Sequence, residues 1–217
     1  MDLGDLRQDY ESTGIDVDSL DPDPIVQYGQ WFEDAQTAGL YEPNAIAVSS
    51  VDSNGWPATR IVLLKAFDVH GFVFYTNYES DKGQQLIANP KCAVTSAWIE
   101  LRRQVRITGL ARRLDPAASD AYFARRPRGS QLGAWASPQS SVIAGRSELD
   151  HRWNEMEARF AEGDVPRPSH WGGFVVDPTV VEFWQGRTNR LHDRVRYERA
   201  VRPDGTPGSW QRERLAP

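Results

Sequence analysis

Residues 45–77 read AIAVSSVDSNGWPATRIVLLKAFDVHGFVFYTN. Three β-branched and aromatic runs, 45–51, 58–67 and 72–77, are parted by the turn formers Ser53-Asn54-Gly55 and His70-Gly71, which predicts an antiparallel meander. Working outward, 81–88 reads as a short helix and 92–99 and 104–114 as two more strands. Upstream, Asp23-Pro24 supplies an N-cap with proline in the first turn. Tyr28, Trp31, Phe32 and Ala35 then recur at helical spacing until about Gly39. Downstream come helices at 116–125, 130–135 and 148–160, the last striped by Leu149, Trp153, Met156 and Phe160. Strands follow at 172–176, 180–185, 191–197 and 210–215, with Asp204-Gly205 as a turn. Strands enclosing a core with helices set between them predict a mainly antiparallel barrel with peripheral helices.

The 217 residues, 40% hydrophobic, suffice for one sizeable core, and no linker divides them into comparable halves. The apolar runs are far shorter than a membrane helix needs, and the acidic, polar start lacks the layout of a secretory signal. A soluble, cytoplasmic protein is expected. The single cysteine, Cys92, reads as a small buried residue. His70, His151, His170 and His192 are scattered without ligand spacing, so no metal is expected. A net charge of −5 argues against a nucleic-acid or anionic-membrane partner. Of the 25 cationic side chains only Lys65, Lys82 and Lys91 are lysines; arginine suits bidentate recognition of phosphate, although a compositional bias of the source would give the same count.

Four stretches carry chemistry. Arg60 and Lys65 bracket an apolar strand, on opposite faces by alternation, where unpaired cations would call for anions; ion pairs at strand ends are the ordinary alternative. The strand containing Tyr75 and Thr76 runs into a polar turn and a helix whose first turn holds Lys82, a place that favours phosphate, while Ser80 reads equally as a plain N-cap. Tyr122 and Arg126 are spaced i, i+4 on one helix face and Ser130 opens the next helix; together they can converge on a phosphate, or the neighbouring arginines can simply be solvated. In FWQGRTNRLHDR (183–194), a strand starting at Arg190 would align Arg190, His192 and Arg194 on one face, a row that needs an anionic ligand across it, whereas Trp184 alone reads as core.

These segments resemble the pyridoxine/pyridoxamine 5'-phosphate oxidase family along nearly the whole chain. The resemblance is carried in order by RIVLLK (60–65), FYTN (74–77), RRPRGSQLGAW (125–135), QSS (139–141), WGGF (171–174), EFWQG (182–186), RLHDR (190–194) and the terminal RLAP. It implies an FMN-binding split β-barrel and a homodimer with FMN at the subunit interface. The implied organisation is an N-terminal arm or lid at 1–22 and one domain at 23–217, whose dimerisation segment begins near 171. The implied FMN contacts are Arg60, Ile61, Val62, Leu63, Leu64, Lys65, Tyr75, Thr76, Lys82, Gln104, Gln139, Ser140, Trp184 and Arg194. Lys65, Tyr122, Arg126 and Ser130 would cradle the substrate phosphate. Arg190 and His192 would lie over the pyridine ring and carry catalysis, and Arg7 and Tyr10 would belong to the lid. Asp81 stands where many relatives have arginine, and Gln8 replaces a basic residue.

The resemblance implies oxidation of pyridoxamine or pyridoxine 5'-phosphate to pyridoxal 5'-phosphate, with O2 as acceptor and hydrogen peroxide released. Two other readings share the pocket: a split-barrel flavin oxidase or reductase of the phenazine-pathway type, and a non-catalytic FMN or pyridoxal-phosphate binder.

Overall fold

The computed structural model describes residue 3 and residues 13–201 and 207–217. Arg7, Tyr10 and the Asp204-Gly205 turn lie outside the described residues.

Helix α1 (Pro24–Thr37) starts where Asp23 accepts the Ile25 N–H at 2.8 Å, with proline in the first turn. It buries Tyr28, Trp31 and Ala35 against the sheet. Tyr28 has no exposure, and its hydroxyl bonds Ser96 Oγ at 2.8 Å while Phe67 and Phe72 meet its ring edge-on. The phenol can therefore be buried without losing its polar partner.

The strands are β1 (Ala45–Val51), β2 (Pro57–Asp68), β3 (Gly71–Asn77), β4 (Lys91–Trp98), β5 (Arg103–Arg113), β6 (Trp171–Gln185), β7 (Asp193–Val201) and β8 (Pro207–Leu215). Every pairing is antiparallel, in the spatial order β3-β2-β1-β4-β5-β6-β7-β8. Strand β3 also pairs with β6, from Phe72↔Val176 to Asn77↔Trp171. That pairing closes the first six strands into a barrel and leaves β7 and β8 as an extension. Alternation sends Ile46, Val48, Leu64, Phe72, Phe74, Val94, Val105, Ile107, Val181 and Phe183 inward, where all are buried.

The sequence pattern predicts a break between 176 and 180, but β6 is continuous through it. Pro178 still faces Gly109 of β5, and the next residue, Thr179, is the extra one in a bulge at the register shift between Thr108 and Gly109. Proline has no N–H for a ladder, so it belongs at such a place. Here β6 changes partner, pairing with β3 before the bulge and with β7 from Val180 onward.

Helices α2 (Asp81–Ala88), α3 (Pro116–Ala124), α4 (Arg128–Ala136) and α5 (Arg146–Arg159) lie outside the barrel. A second apolar cluster of Phe123, Leu132, Val165 and Trp171, flanked by Tyr75, Tyr122, Trp135, Trp153, Met156 and Phe160, joins α3–α5 to β3 and β6. None of the α5 residues is fully buried, so its stripe is a half-covered face. Toward the N-terminus, Leu20 is buried in the main core, with Ile15 and Val17 packed against it.

At the bulge, a Cβ built on Gly109 would stand 2.1 Å from the Asp177 carbonyl oxygen, a backbone atom with no rotamer to yield. Gly109→Ala is expected to cost roughly 1–3 kcal/mol and to lower Tm by roughly 2–12 °C in thermal melting.

Candidate active site

Where α2 begins, two cations meet. Arg60 extends from β2 and donates to Ser50 Oγ at 2.6 Å and to Gln85 Oε1 at 3.1 Å. Lys82, in the first turn of α2, donates to Thr76 Oγ1 at 3.1 Å and to Gln139 Oε1 at 2.9 Å. Ser80 caps the helix through the Gly83 N–H. A Cβ on Gly83 would come within 2.4 Å of the Tyr78 carbonyl oxygen, so the turn closes this tightly only around glycine. Burial first, and then the charge of Arg60, pull the Lys82 pKa down; Arg60 is lowered by its own burial. Asp81 opposes both shifts. The acid flagged as a departure from the family pattern thus supplies part of the counter-charge. Both cations otherwise hydrogen-bond only neutral oxygens, which leaves room for an anion. Gln139 and Ser140 come to this cradle on the loop after α4, with Ser140 at φ 72°.

On the outer side of β3 a stack of rings forms. Tyr75 and Tyr122 lie 3.9 Å apart between centroids at 11°, and Trp171 continues the stack at 5.3 Å from Tyr75. The Arg126 guanidinium sits 4.5 Å over the Trp171 ring. Its Nη1 is buried and has no hydrogen-bond partner among the described residues. Burial lowers the Arg126 pKa, while Tyr122 opposes the shift. The predicted i, i+4 pairing on one helix is corrected: α3 ends at Ala124, and Arg126 lies past the cap Arg125. Pro127 disfavours helical geometry in the residue before it, and Trp171 rather than helix periodicity brings Tyr122 and Arg126 together. Ser130, half-exposed, sits in the first turn of α4.

The remaining β2 residues divide by face. Leu64 is buried and Val62 packs against the core, so only their backbones are open to a ligand; Ile61 is 67% exposed. Leu63 and Lys65 alternate to the outer face, Lys65 at the β2–β3 register shift. Lys65 lines a hollow with Phe32, Gln36, Asn44 and Phe67, separate from the Tyr122–Arg126 stack.

The other predicted residues gather at the far end of β6. Gln104, Trp184 and Arg194 are neighbours across three strands, and His192 lies 4.7 Å from the Trp184 ring. The predicted strand from Arg190 is corrected: β7 begins at Asp193, Thr188–Arg190 is a 3₁₀ turn, and Asn189 and Arg190 take φ 55° and 59°. Arg190 is therefore an exposed loop residue. Trp184 is half-buried in this cluster, and the core position belongs to Phe183. His192 Nδ1 accepts the Arg187 N–H at 3.1 Å, which leaves the ring proton on Nε2. Arg194 is held by Glu182 at 2.9 and 3.1 Å.

Residues 32–160 match the pyridoxamine 5'-phosphate oxidase family, and residues 171–217 match the pyridoxine 5'-phosphate oxidase C-terminal dimerisation region. The chain belongs to the pyridoxine/pyridoxamine 5'-phosphate oxidase family. Among its relatives, the pyridoxine/pyridoxamine 5'-phosphate oxidase of Rubrobacter xylanophilus is 54% identical over 100% of this chain and 97% of its own length. That of Salinibacter ruber is 51% identical over 99% of each. Among solved structures, PhzG from Burkholderia lata, in complex with tetrahydrophenazine-1-carboxylic acid, superposes with a TM-score of 0.84 at 28% identity, covering 92% of this chain and 95% of that one. An FMN-binding protein from Nostoc punctiforme shares the fold, with a TM-score of 0.67 at 18% identity over 88% and 97%.

In this family member, sequence reasoning missed Ser50, Gln85, Trp171 and Glu182, each of which holds or faces a predicted arginine. For Glu182 a signal existed: a carboxylate amid the hydrophobic run VVEFW demands a cation. Ser50 and Gln85 carried none, because they meet Arg60 only across elements.

The Lys82 shift fixes a pH dependence. With its folded pKa below the unfolded value, the folded state binds fewer protons, so stability rises with pH up to about 10.4, the ordinary lysine value. In the ligand-free protein, urea titrations between about pH 8 and about 10.4 are expected to show a smaller rise for Lys82→Gln than for the parent.

Proposed function

We propose that this protein is an FMN-dependent oxidase that converts pyridoxamine or pyridoxine 5'-phosphate to pyridoxal 5'-phosphate, with O2 as acceptor and hydrogen peroxide, plus ammonia from the amine, as by-products. The observation that carries the reading is the buried, partnerless Nη1 of Arg126 over the Trp171 ring, beside the Tyr122 stack. Such a guanidinium is costly unless a ligand completes it, and a phosphate offers the matching acceptors. Ser130 and, from another surface, Lys65 would complete the phosphate site.

The Arg60–Lys82 cradle fits the phosphate of FMN, with Thr76, Gln139 and Ser140 around it and the β2 backbone and Tyr75 along the flavin. The flavin supplies hydride acceptance and reoxidation by O2. The chain's part is to place the substrate carbon and exclude alternatives. His192 would donate from Nε2 to the substrate, and Arg190 would bring positive charge over the reacting carbon. Trp184, Gln104 and Arg194 would wall the flavin.

Trp171 and Trp184 are thirteen residues apart in β6, a path of about 40 Å at the usual strand rise. One pyridine phosphate is far shorter, so the phosphate cradle and the ring groups would come from different copies. We therefore read the protein as a homodimer, with residues 171–217 of the 23–217 domain forming the interface; of the lid expected at 1–22, the stretch 13–22 is instead packed on the main core and held by β7 and β8. Among the described residues no helix is long and apolar enough to cross a membrane and no metal-binding cluster occurs; the single buried thiol, Cys92, fits a reducing cytoplasm.

Aerobic assay with both B6 phosphates, following aldehyde and peroxide, tests the activity. Selective oxidation of a reduced tricyclic phenazine carboxylate would instead favour the chemistry suggested by the PhzG likeness. Arg126→Ala is expected to raise KM by roughly 10- to 150-fold with little change in kcat, as for loss of a charged hydrogen bond equal in ground and transition states. Steady-state kinetics checks it.

The two-copy site has its own test. Arg126→Ala and Arg190→Ala homodimers should both be impaired. Heterodimers pairing the two variants should recover one unmodified site of two, about half the parent turnover per dimer. Recovery no greater than the sum of the separate variants would place the site within one chain.

A further inference from the structure

We propose that Asp193 is a positioning residue whose carboxylate clips the N-terminal segment at Ile15 to the loop bearing Arg190 and His192, holding that loop in its working shape. The proposal rests on the activity inferred above for what the shape is used for, and on geometry for the clip itself.

The loop leaves β6 after Gln185 and enters β7 at Asp193. Two successive residues in it, Asn189 and Arg190, have positive φ; asparagine takes that region readily, but for arginine it is uncommon and needs support from its surroundings. The Leu191 N–H closes the 3₁₀ turn on the Thr188 carbonyl at 3.1 Å. The Arg187 N–H binds His192 Nδ1 at 3.1 Å and so ties the start of the loop to its end. Arg187 is in turn anchored through its side chain, with Nη1 3.3 Å from Asp193 Oδ2.

That same Oδ2 accepts the Ile15 N–H at 3.1 Å, and Oδ1 accepts Arg214 Nη1 at 2.6 Å. Arg214 closes the ring by donating to the Ile15 carbonyl at 2.8 Å and pairing with Asp16 at 3.3 Å. One carboxylate thus joins three stretches far apart in sequence: the N-terminal segment, the loop and β8. Its side chain is only 14% exposed. Burial works against its charge, but the bonds from Arg214 and from the Ile15 N–H outweigh it and hold the carboxyl below the usual range. Gly14 makes the approach possible: at φ 77°, a Cβ there would fall 1.7 Å from Arg187 Nη1 and 2.6 Å from Asp193 Oδ2.

The consequence is directional. His192 lies against Trp184 with its proton on Nε2 because the Arg187 N–H occupies Nδ1, and that N–H is placed by the Arg187–Asp193 pair. Releasing the carboxylate frees Arg187, and the left-handed turn then has less to hold it. The Arg60–Lys82 cradle lies away from the clip, so the cations that would hold the cofactor phosphate stay in place when the clip is released.

The test uses the FMN-loaded protein. In Asp193→Asn, hydrogen exchange should quicken in both 13–16 and 186–192, with the barrel strands unchanged. Gly14→Ala, whose methyl would press on Arg187 and on the carboxylate, should do the same with the Asp193 side chain itself kept. Anaerobic stopped-flow reduction of the flavin by pyridoxamine 5'-phosphate should slow by roughly tenfold or more in Asp193→Asn, with FMN content kept. Arg187→Gln should slow it similarly, and the double variant no further, because both act through one link. Unchanged exchange in Asp193→Asn, or losses that multiply in the double variant, would overturn the clip. If the parent protein fails to reduce its flavin while exchange responds as stated, the activity reading falls and the clip stands.

Discussion

Strand β6 belongs both to the closed barrel and to its two-stranded extension. Its first half closes the barrel against β3, and its second half carries β7 and β8, while β5 runs beside both. A fifteen-residue strand can change neighbours in this way only if its twist changes on the way. The bulge at Thr179, next to the Pro178↔Gly109 pair, supplies that change: proline gives up the ladder bond and glycine gives up the volume. Everything functional hangs from the two ends. Trp171 and the rings stacked on it stand at the barrel seam, and Trp184 with His192 and Arg194 stands on the extension. One strand separates these groups within a chain, and that separation is the reason for proposing a site drawn from two copies.

The electrostatics divide in the same way. At the far end of β6 the arginines are answered: Arg194 by Glu182, and Arg187 and Arg214 by Asp193. These pairs shape the protein. Near the seam, Arg60, Lys82 and Arg126 are half-buried and carry pKa values lowered by that burial. Neutral oxygens or aromatic faces stand where carboxylates would otherwise be. Such half-buried cations cost stability unless an anion meets them, which is what the proposed function supplies. The contrast separates arginines paired with carboxylates from those paired only with neutral groups, a distinction that a count of arginines could not make.

Much of the local structure was legible in residue order. The meander from Ala45 to Asn77, the cap Asp23-Pro24, the Tyr28–Trp31–Ala35 stripe and the helix over 81–88 follow from period, turn chemistry and capping, all short-range properties. The site residues were named chiefly through family-wide motifs, and the structure gathers Arg60, Thr76, Lys82 and Gln139 into one cradle and Tyr75, Tyr122 and Arg126 around Trp171. Other readings failed where a local rule met a tertiary demand. Arg190 was placed in a strand by alternation, yet the approach of Ile15 and Arg214 to Asp193 and the bond between Arg187 and His192 leave it in a left-handed turn.

What the sequence by itself determined is which segments become strands and helices and which side chains can face a core, since these depend on steric and solvation preferences acting over a few residues. Only the tertiary structure decided which end of the barrel each cation occupies and which of them is left without a carboxylate. The partners of Arg60, Arg126, Arg194 and Arg187 arrive from other elements. Charge compensation acts through space, and its distances are set when β3 closes on β6.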